Sequence, residues 1–213
     1  MNQNIEINKL IQFIENKQDF NFVRSNSCFY NNHLGAVLTD IVLQAGLNYK
    51  TVVLPRVLRV YKSFHDAYNL ENLINIIDDI GLENFLNWKN EVKLKRFQSI
   101  IEYLVNNSIH TTNELLVHLD KEINLKNFLS IQGVGNKTID YFFKLMHIET
   151  IAVDRHIINF LNQADVNYNN YHNAKRIVEF TADILNVSRR DIDYSIWYYM
   201  SGNSQHKVLE LNF

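Results

Sequence analysis

Cysteine occurs once in the chain, at Cys28. A single thiol builds no internal disulfide framework, no thiolate zinc finger and no four-cysteine iron–sulfur cluster. Proline also occurs once, at Pro55, and glycine only six times in 213 residues. All-β folds need more turn punctuation than that, so the expected class is all-α. Apolar runs are a few residues long, too short for a membrane-spanning helix of about 20 residues. The opening stretch MNQNIEINKLIQF carries an acid and no long apolar core, so no secretory signal is expected. A soluble, cytoplasmic protein without membrane contact is the expectation. The net charge of −2 excludes a basic coat, the usual mark of a general nucleic-acid binder. It leaves room for a local basic patch. The eight histidines show no HExxH or paired-ligand spacing, so no catalytic metal site is expected.

What is present is a chain that is 46% hydrophobic, enough to bury a core without covalent staples. Its length fits one large domain or two small ones. Apolar residues recur at helical spacing nearly throughout. Ile7, Leu10, Ile11 and Ile14 define a first helix, and Leu34, Val37, Leu38, Ile41 and Val42 a second between His33 and Gln44. Residues 17–32 read as a packed connection. Val53, Val57, Val60, Tyr61 and Phe64 line a third helix, with Pro55 in its first turn. A helix over Leu70–Ile80 ends at Gly81, a fitting C-cap. Lys93 to Val105 is amphipathic through Phe97, Ile100, Ile101 and Leu104. Thr111 and Glu114 have capping-box spacing for a helix over 112–119. Two helices, about 124–131 and 136–146, flank a tight turn. Residues 151–153 are extended and lead into a helix over about 155–163. Residues 164–171 read as a polar loop, and helices over about 175–185 and 189–200 follow.

Residues 129–156, LSIQGVGNKTIDYFFKLMHIETIAVDRH, carry most of the functional information. Gly133-Val134-Gly135 lies between two apolar-periodic helices. Glycines permit a tight turn and strip side chains from its surface. Amides at the start of the next helix can then bind an anion, most naturally a phosphate; a plain helix–helix turn needs the same glycines for geometry alone. Lys137 falls in the first turn of the second helix, where the macrodipole disfavours a cation. The same field favours the neutral amine that a lysine nucleophile requires. Asp154 sits at an extended-to-helix junction, where a carboxylate is either an ordinary N-cap or a catalytic group.

Taken together, Gly133-Val-Gly-Asn-Lys137-Thr, then 17 residues to Asp154 in Val-Asp-Arg-His156, resembles the helix-hairpin-helix DNA glycosylase superfamily. The likeness is to endonuclease III and, in the lysine, to the 8-oxoguanine glycosylases. It is strong over about 30 residues. It extends more weakly to Leu43-Gln44-Ala45, which resembles the segment whose glutamine fills the space left by an extruded base. A surface glutamine at a helix end is the other reading of Gln44. The resemblance implies an all-α, two-domain glycosylase fold with its active-site cleft between the domains. Residues 33–150 would form the central domain ending in the hairpin, and 1–32 with 151–213 the second. It implies a DNA glycosylase of base excision repair acting on double-stranded DNA with a damaged base, an oxidised one by the presence of Lys137. AP-lyase activity through a lysine imine is implied too, since monofunctional relatives lack that lysine.

On the resemblance, Lys137 is the nucleophile and Asp154 the catalytic carboxylate. The amides of Gly133, Val134 and Gly135 grip a phosphate and Gln44 is the plug; beside them, Arg155, directly after Asp154, is a candidate DNA contact or orients Asp154. The carbonyls of Leu129, Ile131 and Val134 would hold a monovalent cation, Na+ or K+, and no other cofactor is required. Two departures stand out. Residues 157–213 contain no cysteine, so the iron–sulfur cluster usual in endonuclease III is not expected. Gln132 replaces a proline that often precedes the hairpin's first glycine. The chain is expected to act as a monomer. The rivals are a non-catalytic helix-hairpin-helix DNA-binding protein and a monofunctional glycosylase.

Weaker signals surround this core. His156 either orients Asp154 or packs. Lys126, Lys144, Lys175, Arg176, Arg189 and Arg190 either form a basic face or solvate helices. Phe29, Tyr30, Tyr49 and Trp88 either stack on a flipped base or belong to the core. Trp197, Tyr198 and Tyr199 are expected to pack the last helix. Cys28 has no apparent base partner.

Overall fold

The computed structural model describes residues 2–25 and 28–202. Every regular element among them is helical. The chain divides into two compact units, Ser27–His147 and Met1–Asn26 with Ile148–Phe213. The expected boundaries, 33 and 150, differ from these, and packing explains both differences. Tyr30 is buried in the core of the Ser27–His147 unit, and the Thr112 hydroxyl donates to the Asn31 carbonyl at 2.7 Å. Thr150 and Ile151 are buried on the other side of the boundary, Ile151 within the core of the discontinuous unit. Residues 203–213 of the expected second domain lie outside the described residues.

The continuous unit is built around α2 (Leu34–Leu43), all ten residues of which are buried. A helix that is apolar on all sides belongs at a core's centre. Around it lie α3 (Leu54–Ser63), α4 (Leu70–Ile80), α5 (Leu82–Leu86), α6 (Glu91–Asn106), α7 (Thr112–Leu119), α8 (Glu122–Leu129) and α9 (Asn136–Leu145). Another part of the chain approaches α2 closely at Gly35. Its amide donates to the Ala67 carbonyl at 2.9 Å, and an added Cβ would press on Phe85 at 3.0 Å and the Ala67 methyl at 3.1 Å. Thr39 returns its hydroxyl to the Gly35 carbonyl at 2.7 Å, so α2 buries that polar group at home.

Two elements depart from the sequence expectation. A π-helical turn, Tyr49–Val53, precedes α3, and Pro55 falls in the first turn of that helix. The short α5 follows Gly81 directly. Elsewhere the caps match. Thr111 accepts from the Glu114 amide at 3.2 Å, and Glu114 reaches back to the His110 amide at 2.6 Å. The return bond is thus one residue earlier than in the reciprocal capping box.

The second unit packs α1 (Gln3–Asn16), α10 (Arg155–Gln163), α11 (Tyr171–Ile184) and α12 (Arg189–Met200) around Leu10, Phe160, Ile177 and Ile196. Helix α11 begins four residues before the expected start, because Asn170 caps it by accepting from the Asn173 amide at 2.9 Å. The connection after α1 is fixed by side chains of α12. Ser195 accepts from the Val23 amide at 2.8 Å and Asp191 from the Ser25 amide at 2.7 Å. Phe160 is fully buried and meets Phe13, Phe20 and Tyr199 with ring centroids 5.2–6.0 Å apart. Phe160→Ala should therefore lower unfolding stability by about 3–5 kcal/mol. Phe180→Ala, at a side chain 43% exposed, should change it by less than about 0.5 kcal/mol. Urea titration of both variants measures the contrast.

Candidate functional site

The turn between α8 and α9 is set by local hydrogen bonds. The Val134 amide donates to the Ile131 carbonyl at 2.9 Å, and Val134 buries its side chain beneath the turn. Gly133 has φ +83°, in the left-handed region, and an added Cβ would overlap the Arg96 guanidinium. Arg96 Nε donates to the Gln132 carbonyl at 3.3 Å and so lies on the turn. Helix α9 starts at Gly135 without a side-chain cap. Among the described residues, the amides of Gly133 and Gly135 donate to no recorded acceptor, and both glycines are exposed.

Of the three amides expected at a phosphate, that of Val134 is engaged within the turn, while those of Gly133 and Gly135 are not. The Leu129, Ile131 and Val134 carbonyls expected to hold a monovalent cation border the same turn. That of Ile131 shares its lone pairs with the Val134 amide. Among the described residues, no group of three His, Cys, Asp or Glu side chains is placed to hold a metal ion.

Lys137 is the second residue of α9. Its Nζ donates to Gln44 Oε1 at 2.8 Å, a contact between residues 93 positions apart. An ammonium only donates, so this bond sets the orientation of the amide. Gln44 Nε2 is buried and has no acceptor among the described residues. Gln44 itself is the C-cap of α2.

One turn further along both helices is a second link. Tyr141 donates to Asp40 Oδ1 and Oδ2, at 3.2 Å each. Tyr30 donates to Oδ2 at 2.5 Å and Tyr49 at 3.3 Å. Asp40 is fully buried, and loss of hydration pushes its carboxyl up to about 6 against the three phenols that favour the charged form. Burial, with the Asp40 charge next in weight, holds Tyr30, Tyr49 and Tyr141 well above the ordinary phenol range.

A further cation, Lys93 of α6, closes the group. Its Nζ donates to the carbonyls of Val42 at 2.9 Å, Leu43 at 3.3 Å and Ala45 at 2.9 Å. These are orphan acceptors at the C-terminus of α2, where the macrodipole favours a cation. Burial first, then the charges of Arg96 and Lys137, bring Lys93 down to about 8.

Asp154 belongs to the other unit. It is the N-cap of α10, and Oδ1 accepts from the His156 amide at 2.8 Å and the Ile157 amide at 3.1 Å. Oδ2 accepts no hydrogen bond among the described residues. The extended segment before it is pinned by Asp193 on the Ala152 amide at 2.8 Å and by the Tyr171 hydroxyl on the Val153 amide at 3.2 Å. Arg155 is exposed and His156 half-buried.

The sequence reading did not single out Lys93, Arg96, Asp40 or Tyr141. The i, i+3 pair Lys93 and Arg96, on a helix read only for its apolar stripe, was the available signal. An acid inside the otherwise apolar α2 was the other.

Of the weaker candidates, Tyr30 and Tyr49 are bound to Asp40, and the Arg56 guanidinium covers the Trp88 ring at 5.0 Å. Phe29 is half exposed. Tyr199 packs with Phe20 and Phe160, and Trp197 stacks on Tyr194. Lys126 pairs with Glu122 at 2.7 Å on an exposed helix face, and the less exposed Lys175 and Arg189 pair with Glu179 at 3.8 Å and Asp183 at 2.8 Å.

The raised Asp40 carboxyl has a thermodynamic consequence. Below the unfolded value, near 3.8, both states are protonated; between there and about 6 the folded state binds the proton more tightly. Its contribution to stability is therefore complete at low pH and is lost as pH rises through about 6. Unfolding free energy should carry a falling component on the order of 2–3 kcal/mol across that window. Asp40→Asn should flatten it. Denaturant titrations of both chains at pH 4.5, 6 and 7.5 measure the difference.

No helix among the described residues is long and apolar enough to cross a membrane. No curated protein matches the chain, and no solved structure matches it. The family that does match is a domain of unknown function, DUF8548, over residues 9–201, and the chain belongs to that family.

Proposed function

We propose that the chain is a helix-hairpin-helix DNA glycosylase of base excision repair that removes a damaged base and then nicks the strand. The observation that carries this reading is the Lys137–Gln44 contact at 2.8 Å. The two residues to which the resemblance assigns the nucleophile and the base-replacing plug are distant in sequence and adjacent in space. The exposed Gly133 and Gly135 amides beside them suit a phosphate, with Arg96 adding positive charge at the same turn.

In the proposed reaction the target nucleotide is flipped out of the duplex. The bond from C1′ to the base breaks as positive charge develops on the sugar, which the Asp154 carboxylate stabilises. The Lys137 amine, neutral when it attacks, bonds to C1′, and the departing base takes up a proton. Opening of the sugar ring gives an imine at Lys137. Loss of a 2′ proton then expels the 3′ phosphate and breaks the strand. Gln44 exchanges its Lys137 partner for the vacated position in the duplex.

Borohydride reduction in the presence of duplex DNA with an oxidised base or an abasic site tests the proposal. The expected result is a covalent adduct at Lys137 that disappears in Lys137→Ala. Asp154→Asn should slow base release by about 10²–10³-fold. Base release without an adduct would instead mean a monofunctional enzyme. Duplex binding with neither reaction over a broad lesion panel would mean a binding module and overturn the reading.

A further inference from the structure

Lys93 stands out among the groups that the proposed reaction does not use. It is a half-buried lysine with no carboxylate in contact among the described residues, held by three backbone carbonyls in one short stretch, those of Val42, Leu43 and Ala45. That stretch brackets Gln44, whose side-chain oxygen in turn accepts from Lys137. Hydrogen bonds therefore tie the α6 cation to the backbone at the end of α2, and the Gln44 side chain that projects from that backbone to the amine on α9. We propose that Lys93 is a positioning residue for Lys137, acting through the Val42–Ala45 carbonyls and Gln44.

The physical case has two parts. The first is conformational. Helix ends fray because their last carbonyls lack intrahelical partners. A cation that engages three of them fixes the backbone from which Gln44 projects, and so fixes the acceptor that orients Lys137 Nζ. Gly46 and Leu47 follow immediately, so α2 has no further turn to hold that backbone. The second part is electrostatic. The Lys137 charge is one of the three causes that bring Lys93 down, and the repulsion is mutual. A charged Lys93 therefore favours the neutral form of Lys137, the form that attacks.

The titratable and charged groups around these bonds include Arg96 on α6, Asp40 on α2, Tyr141 on α9, Tyr30 and Tyr49 beside Asp40, and Asp140, three residues after Lys137 on α9. Arg96 repels Lys93 and Lys137 in the same sense. Asp40 is directed by its phenols toward Tyr30, Tyr49 and Tyr141, and it stays in place in every variant used below.

The inference rests on the nucleophile reading for its meaning, but its test does not need DNA. The full-length chain is acylated with trace acetic anhydride across pH 6–10, and the Lys137 peptide is quantified by mass spectrometry. In Lys93→Met the Lys137 reactivity curve is expected to move to higher pH by roughly half a unit or more. Lys93→Arg keeps the charge and the donors and is expected to lie close to the wild-type curve. Should Lys93→Met fail to fold by circular dichroism, Lys93→Gln provides the neutral comparison with two donors retained.

A neutral variant that folds and superimposes on wild type overturns the proposal. So does a Lys93→Arg curve displaced as far as that of the neutral variant, since the cation would then have no role. Borohydride trapping on abasic-site duplex is run in parallel. Its failure in the wild-type chain overturns the nucleophile reading, while the acylation curves still decide the coupling of Lys93 to Lys137.

Discussion

The burial of Asp40 inside α2 is the constraint on which the site depends. A carboxylate without water must find donors, and α2 offers none of its own. Tyr30 comes from the segment before α2, Tyr49 from the π-helical turn after it and Tyr141 from α9. Three separate pieces of chain are thereby tied to one atom group. The tie to α9 has the longest reach, because Asp40 and Gln44 are four apart on α2 while Tyr141 and Lys137 are four apart on α9. Residues four apart share a helix face. Once Tyr141 meets Asp40 with the helices antiparallel, Lys137 is brought to Gln44.

The same arrangement explains how three cations gather in a chain whose net charge is −2. Lys93 is balanced by the carbonyl end of α2 and Lys137 by the amide oxygen of Gln44. Arg96 leans on the Gln132 carbonyl. In each of these bonds the acceptor is an uncharged amide or carbonyl oxygen. The turn from Gly133 to Gly135 adds amide dipoles of the same sign. The proposed phosphate contact would draw on these dipoles and on the neighbouring cations.

Much of the helical framework was legible in the sequence because its signals are local. Leu70–Ile80 was delimited by its apolar spacing and Gly81, and the observed α4 has those limits. The hairpin was legible for the same reason. The π-helical turn was not, since Val53 and Val57 continue an ordinary helical spacing and nothing in Tyr49–Val53 marks a wider turn. The Ser27–His147 unit starts before residue 33 because Tyr30 and Asn31, loop-like in sequence, are attached to it by contacts such as those with Asp40 and Thr112. Lys93 and Asp40 escaped notice for a related reason. Apolar periodicity counts the face a helix buries and ignores charged residues, and their partners lie tens of residues away.

The capping role of Asp154 is compatible with the catalytic role proposed for it. As the N-cap of α10 it engages a single oxygen, Oδ1, with two amides. That fixes the plane of the group, because two donors on one oxygen restrict rotation about the side chain. The second oxygen is thereby held in a definite direction without being consumed. Asp193 and Tyr171 secure the backbone just before it, so the whole junction from Ala152 to Ile157 is rigidly bonded. Electrostatic stabilisation of a developing charge depends on groups that need no reorganisation when the charge appears. A carboxylate whose cap already fixes its geometry meets that requirement better than one free to rotate, so the capping bonds support the proposed catalytic role of Asp154.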